Sequence, residues 1–274
     1  MRQKIIITGH SSGLGKALAA HYLQAGIEVL GIARRELSAE NGLQQVALDL
    51  ADAEKLSAWL QSGAINNFMQ DADELVLVNN AGMVAPSSVC GKQRPSEIAA
   101  AVSLNIIAPL LLSNHVLATK ADNQAVKIVH ISSGAGRNAY QGWSVYGATK
   151  AALDHHARCV EAENHRNVKV CSIAPGVVDT DMQAQIRAQD GDDFPILPRF
   201  QQLHANQELS SPESVANIMA EMIADADFGD EIIQDVRTWQ SLKQTFQTAL
   251  HSHFKCNAQM PLARAAENRS PGVS

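Results

Sequence analysis

The stretch Thr8-Gly9-His10-Ser11-Ser12-Gly13-Leu14-Gly15 constrains this chain more than any other. Before it stands a short apolar run, Lys4 to Ile7, rich in β-branched residues as a buried strand requires. After it, Lys16 to Gln24 reads as a helix: Leu14, Leu18 and His21-Tyr22 recur at helical spacing, and Gly26 lies just past the end. Glycines between strand and helix let the backbone turn sharply and approach a ligand closely. The free N–H groups and partial positive charge of the helix start suit a pyrophosphate. A turn of this kind that binds nothing is the alternative. The pattern is rare at this composition, and its place after the first strand favours a dinucleotide held by Gly9, Ser11, Ser12, Gly13, Leu14 and Gly15.

The rest of the chain keeps the same alternation. Strands are expected at Glu28 to Ala33, Gln45 to Leu48, Glu74 to Asn79, Lys127 to Ser132, Lys169 to Ile173 and Glu231 to Val236. Helices are expected at Ala53 to Gln61, Pro95 to Ala118 with a kink at Pro109, Ser144 to Asn164, Ser211 to Ile223 capped by Ser211 or Ser210, and Trp239 to Phe254. Strands alternating with helices predict an α/β fold: one doubly wound parallel sheet of seven strands, in a single domain over residues 1–254. Asp179 to Pro212 breaks the rhythm with three prolines and no clear periodicity, and residues 183–212 are expected to form a substrate lid. Residues 255–274 turn polar and read as a C-terminal tail.

Composition narrows the function. Of 274 residues, 46% are hydrophobic and 18% charged, which excludes a disordered chain and a disulfide-dense scaffold. The net charge of −6 argues against nucleic acid as a partner, since phosphate neutralisation needs a basic face. No run approaches the roughly 18 apolar residues of a membrane span. Met1-Arg2-Gln3-Lys4 leads into three isoleucines only, too few for a secretion signal, and the four cysteines are scattered. A soluble, cytoplasmic protein is expected. The ten histidines show no metal-ligand spacing, so no metal is expected.

An acidic residue at the end of the second strand would accept bonds from the ribose hydroxyls of NAD and repel a 2′-phosphate. This chain has Ala33-Arg34-Arg35 there, which favours NADP(H), with Arg34 as the preferred contact. Further on, Tyr146 and Lys150 stand four apart, on one face of the predicted helix. A tyrosine with an ordinary pKa near 10 is a poor acid–base at neutral pH. The Lys150 ammonium, together with an oxidised nicotinamide, would stabilise the phenolate and lower that pKa. Such a pair alone is a weak signal, and its neighbours give it weight.

The T-G-x-x-x-G-x-G turn, Asp49-Leu50, Asn79-Asn80-Ala81-Gly82, Asn105, Ser132-Ser133, Tyr146 with Lys150, and Pro175-Gly176 with Thr180 together resemble the short-chain dehydrogenase/reductase family, strongly over residues 4–182. The resemblance implies a Rossmann-type fold and an NADP(H) cofactor. Asp49 and Leu50 would lie at the adenine, and Asn80, Ala81 and Gly82 beside the cofactor. Pro175, Gly176, Val178 and Thr180 would surround the carboxamide and phosphate, and Tyr146 and Lys150 the nicotinamide ribose. It also implies the catalytic set Asn105, Ser133, Tyr146 and Lys150: Tyr146 the acid, Ser133 holding the carbonyl oxygen, Asn105 supporting a water relay. Ser132 competes with Ser133, and the 13-residue spacing to Tyr146 selects Ser133. Trp143 either lines the substrate pocket or covers the helix start.

The last strand departs from the family's common Asp-Gly-Gly ending. Phe228-Gly229-Asp230-Glu231 through Asp235-Val236 looks like the benzil reductase and sepiapterin reductase-like branch. That implies reduction of a ketone or diketone to an alcohol, a small-molecule carbonyl substrate, and a homo-oligomer, a dimer rather than a tetramer. A 3-oxoacyl thioester reductase and a non-catalytic NADP(H)-sensing protein are the rival readings.

Overall fold

The structure is a computed structural model that describes residues 1–243. Its contacts divide the chain into Met1–Arg237 and Thr238–Ser274. Within the second, residues 238–243 are helical. The rest of the helix expected to Phe254 and the polar tail lie outside the described residues.

Three strands are buried almost end to end: β1 (Gln3–Thr8), β2 (Glu28–Ala33) and β4 (Glu74–Asn79). Continuous burial of this kind requires cover on both faces. Together with β3 (Leu43–Ala47), β5 (Ala125–Ile131), β6 (Val168–Ala174) and β7 (Ile233–Asp235) they form one seven-stranded sheet in the order β3-β2-β1-β4-β5-β6-β7. Every pairing is parallel. The winding runs outward from β1 in one direction and from β4 in the other. The crevice at the carboxyl ends of β1 and β4 is therefore the switch point where open α/β sheets bind ligands.

The helices supply the cover. In chain order they are α1 (Gly13–Gln24), α2 (Ala53–Gln61), α3 (Ala64–Met69), α4 (Pro95–Val102), α5 (Ala108–Thr119), α6 (Ser144–Ala162), α7 (Asp181–Arg187), α8 (Leu197–Ala205) and α9 (Pro212–Ala224). The Asp52 side chain caps α2 by accepting the Lys55 N–H at 3.0 Å, and Ser211 caps α9 by accepting the Ser214 N–H at 3.1 Å. Ser211 is thus the cap of the two candidates. Leu56, Leu60, Phe68, Leu112, Val116 and Ala157 meet Ile6, Leu75, Leu77 and Ile128 in the main core.

Three elements differ from the sequence expectation. The short helix α3 was not anticipated, because six residues carry too little periodicity to reveal a helix. The segment Asp179 to Pro212 contains α7 and α8, which hold each other by packing; seven- and nine-residue helices are not stable alone. The long helix expected from Pro95 is interrupted by a π-helical turn at Ser103–Ile107. Pro109 has no N–H for the carbonyl four residues back, that of Asn105, so the backbone adjusts there. The whole stretch Pro95–Thr119 matches the expected length and is more apolar than the sequence reading allowed. It has a window of mean hydropathy 1.6 with only 33% of that window buried, enough by length and composition to cross a membrane. Its buried face, with Ala101, Asn105, Ala108, Leu112, Ser113 and Val116, is built into this domain.

Candidate active site

The turn after β1 and the turn after β4 are tied to each other. Thr8 Oγ1 accepts the backbone N–H groups of Asn80 and Ala81, each at 2.9 Å, and Asn80 Nδ2 donates to the Thr8 carbonyl at 2.8 Å. Gly9 has φ +70°, a conformation L side chains avoid. A Cβ at Gly15 would overlap the Gly9 carbonyl and the Asn80 side chain. The turn thus folds tightly onto the start of α1 only with glycine there, and the helix's free N–H groups face the crevice.

A groove of about 410 Å³ opens beside this turn, lined by Ser11, Ser12, Gly13, Lys16, Arg35, Glu36, Leu37 and Asp181. Both arginines after β2 are exposed, and Arg35 lines the groove. Lys16 was not singled out from sequence. It sits in the first turn of α1, where a lysine reads as an ordinary solvated residue, and only the groove brings it opposite Arg35. Asp49 is exposed after β3, its Oδ1 accepting the Ala51 N–H at 3.0 Å, and Leu50 is buried in the core. Thr180 stands just before α7, its Oγ1 directed to the Val178 carbonyl, and lies against the glycine turn: a Cβ at Gly13 would stand 3.0 Å from its methyl. The preceding Pro175–Asp179 segment is anchored by Ser210, whose N–H donates to the Val177 carbonyl at 3.0 Å and whose carbonyl accepts the Asp179 N–H at 2.9 Å. Val178 is buried in that bridge, and Gly176 has φ +81°.

The second cluster lies at the end of β5. Ser133 follows the strand, and its Oγ accepts the Ala135 N–H at 3.1 Å. Its hydroxyl is close enough to that of Tyr146 to favour the phenolate, against the burial of the ring. Ser132 is buried and its Oγ approaches the Lys150 carbonyl at 3.5 Å, which separates the two serines. Tyr146 and Lys150 come off α6 together, with the ammonium 5.7 Å from the phenol ring centroid. Lys150 Nζ donates to the Ile131 carbonyl at 2.7 Å. Asn105, fully buried in the π turn, accepts the Met83 N–H at 2.9 Å and donates to the Met83 carbonyl at 2.8 Å and to Thr149 Oγ1 at 3.1 Å. Gly82 sits between them: a Cβ there would be 3.3 Å from Asn105 Oδ1 and 3.5 Å from Lys150 Nζ. Residues from four separate parts of the chain thus converge at the carboxyl ends of β4 and β5.

Burial governs the electrostatics. It pushes Lys150 down to about 8, partly opposed by Asp154 one turn along α6. The sequence expectation for Tyr146 concerns the complex with oxidised nicotinamide; in the chain by itself the shift runs upward. Burial raises its pKa, and the Ser133 hydroxyl only partly offsets that. Trp143 and the apolar residues around it bury the ring, which favours its neutral form.

Those neighbours form a second hydrophobic cluster. Trp143 contacts Tyr146 at 5.2 Å between centroids, Phe194 at 5.3 Å and Phe200 at 5.0 Å, with Val84, Ile186 and Leu197 around them. Of the two roles the sequence left open for Trp143, the helix start is the one its contacts show. It covers the start of α6, anchored by Nε1 donating to Ser87 Oγ at 3.1 Å, and its ring packs against that of Tyr146. Phe194 and Phe200, from the segment without visible periodicity, escaped the sequence reading. Among the described residues no three of His, Cys, Asp and Glu come together as metal ligands. His156 is instead bonded to the buried His130, Nδ1 to Nε2 at 3.0 Å.

Residues 3–191 match the family described as short chain dehydrogenase. The chain belongs to the short-chain dehydrogenase/reductase family. It is 36% identical to a benzil reductase ((S)-benzoin forming) of Bacillus cereus over 240 residues, 82% of this chain and 95% of that protein. It is 31% identical to the sepiapterin reductase of Meriones unguiculatus, over 78% of this chain and 90% of that one. Among solved structures, a short-chain dehydrogenase/reductase from Burkholderia vietnamiensis is 38% identical with a TM-score of 0.63, covering 86% of this chain and 97% of its own. This family member is an oxidoreductase of the benzil and sepiapterin reductase branch, and its substrate is a small molecule.

Proposed function

We propose that this short-chain dehydrogenase/reductase reduces a ketone or 1,2-diketone to an alcohol with NADPH, and that its preferred substrates carry an aromatic ring next to the carbonyl. The observation that carries the reading is the Ser133–Tyr146 hydroxyl pair set against the Trp143 aromatic wall. The similarity to benzil reductases supports it.

The residues present suit a dinucleotide: the glycine turn is a cradle that a Cβ at Gly15 would fill. Gly9, Ser11, Ser12, Gly13, Leu14 and Gly15 would hold the pyrophosphate. Asp49 and Leu50 would border the adenine, Asn80, Ala81 and Gly82 the middle of the cofactor, and Pro175, Gly176, Val178 and Thr180 its nicotinamide end. Arg35 and Lys16 are the cations placed to meet a 2′-phosphate, with Arg34 outside the groove. When bound, reduced nicotinamide supplies the hydride for the carbonyl carbon.

The chain's own residues handle the proton. Ser133 donates to the carbonyl oxygen and orients it beside the Tyr146 hydroxyl. Tyr146 is held protonated by burial, the form an acid needs, and gives its proton to that oxygen as negative charge develops there. Lys150, fixed by the Ile131 carbonyl, stabilises the resulting phenolate and binds the nicotinamide ribose. Asn105, locked between Met83 and Thr149, supports reprotonation through a water. Trp143, backed by Phe194 and Phe200, would border the aryl group. The half-buried outer side chains of α4 and α5 would join two copies as a dimer.

The test is oxidation of NADPH and NADH, in parallel, against aromatic diketones, sepiapterin and an acetoacetyl thioester. Turnover of a diketone with NADPH is expected. Turnover of the thioester alone would replace this reading with a 3-oxoacyl thioester reductase. Tight NADPH binding without turnover would favour a sensor.

A further inference from the structure

His10 occupies a variable position of the glycine turn, and nothing in the proposed reaction uses it. Its imidazole is fully buried and lies against the backbone of Gly31 in β2, where any Cβ would overlap the ring. Gly31 pairs with Gln45 of β3. The imidazole therefore crosses β2 and meets Gln45, Nε2 to Oε1, at 2.8 Å.

Gln45 in turn grips Leu37 with both ends of its amide. Oε1 accepts the Leu37 N–H at 2.7 Å, and Nε2 donates to the Leu37 carbonyl at 3.0 Å. That fork decides which end of the amide is oxygen, so His10 Nε2 carries the proton and donates. His10 Nδ1 is then a bare acceptor, buried with no hydrogen-bond partner among the described residues. A leucine or phenylalanine would fill the same space without that cost, so core packing does not account for a histidine here.

Leu37 lies two residues beyond Arg35, and Arg35, Glu36 and Leu37 line the groove together with Ser11, Ser12 and Gly13. Residues 34–42 contain no helix or strand, and Arg34, Arg35 and Glu36 are exposed. The Gln45 fork is what fastens this stretch, and His10 joins the fork to the glycine turn.

We propose that His10 and Gln45 form a brace between the two edges of the cofactor groove, setting the Arg35 segment at the distance from the glycine turn that a phosphorylated dinucleotide needs. Both are positioning residues. The proposal rests on the NADP(H) reading above.

The test measures dissociation constants for NADPH and NADH by fluorescence titration, and kcat at saturating NADPH, in the wild type, His10→Ala, His10→Gln, Gln45→Leu and the double variant His10→Ala/Gln45→Leu. His10→Ala and Gln45→Leu should each weaken NADPH about tenfold and NADH less than about twofold, with kcat within about twofold, because only preorganisation is lost. His10→Gln keeps a donor near the Nε2 position and should recover most of the affinity. The double variant should be no weaker than either single one, since the two residues act as one unit. Equal weakening of both cofactors, or unchanged NADPH affinity, overturns the brace and leaves the cofactor reading standing. A wild type that binds NADH more tightly overturns both. If His10→Ala does not fold, Gln45→Leu on the edge strand β3 decides alone.

Discussion

Lys150→Met should stabilise the fold while abolishing turnover. The Lys150 side chain is 4% exposed, and burial lowers its pKa from the ordinary 10.5 to about 8 even with Asp154 nearby. At about 1.4 kcal/mol per pH unit, holding the charge inside costs the fold roughly 3 kcal/mol. The direction follows from which state takes up the proton first. Above 10.5 the amine is neutral folded and unfolded alike; as pH falls the unfolded chain protonates first, and below about 8 the full cost stands. Its contribution to stability therefore improves as pH rises from about 8 towards 10.5. A methionine of similar length removes the cost and forfeits the bond to the Ile131 carbonyl, worth about 1 kcal/mol. The net gain at pH 7 is about 2 kcal/mol, or about 4–8 °C in Tm for a domain of this size. Thermal and urea unfolding without cofactor, at pH 7 and pH 9.5, measure it. The variant should lead at pH 7 and the gap should narrow at pH 9.5. A less stable variant, or a gap that ignores pH, would refute the argument that Lys150 is a buried charge tolerated for function.

Further outcomes test the site. Tyr146→Phe should lower kcat by about 10²–10⁴-fold, the usual range for a general acid, with NADPH affinity retained in a titration; unchanged turnover removes Tyr146 from its role. Arg35→Asp should weaken NADPH at least about tenfold and leave NADH nearly unchanged, whereas Arg34→Asp should do less; the reverse ranking would return the contact to Arg34. Trp143→Ala should destabilise by about 3–5 kcal/mol and raise KM for aryl ketones more than for small aliphatic ones, and equal KM changes would separate the wall from substrate.

The alternation of buried strands and helices, the glycine turn and the Tyr146–Lys150 pair were legible because each is local. A strand shows itself in five or six consecutive residues, and two residues four apart share a helix face wherever the helix goes. The choice of Ser133 over Ser132 came from the family's 13-residue spacing to Tyr146. Local pattern failed for α7 and α8, whose helical state comes from packing on each other, and for Phe194 and Phe200, whose partner Trp143 lies about fifty residues earlier.

The sequence by itself determined the doubly wound sheet, the place of the glycine turn between β1 and α1, and the shared helix face of Tyr146 and Lys150. Only the tertiary structure decided that Arg35 and Lys16 rather than Arg34 line the groove, that His10 is bound to Gln45 across β2, and that burial pushes Lys150 down and Tyr146 up. The physical reason is common to these. Backbone pattern is set by near neighbours, while desolvation and side-chain contact depend on segments brought together by the crossovers of the sheet.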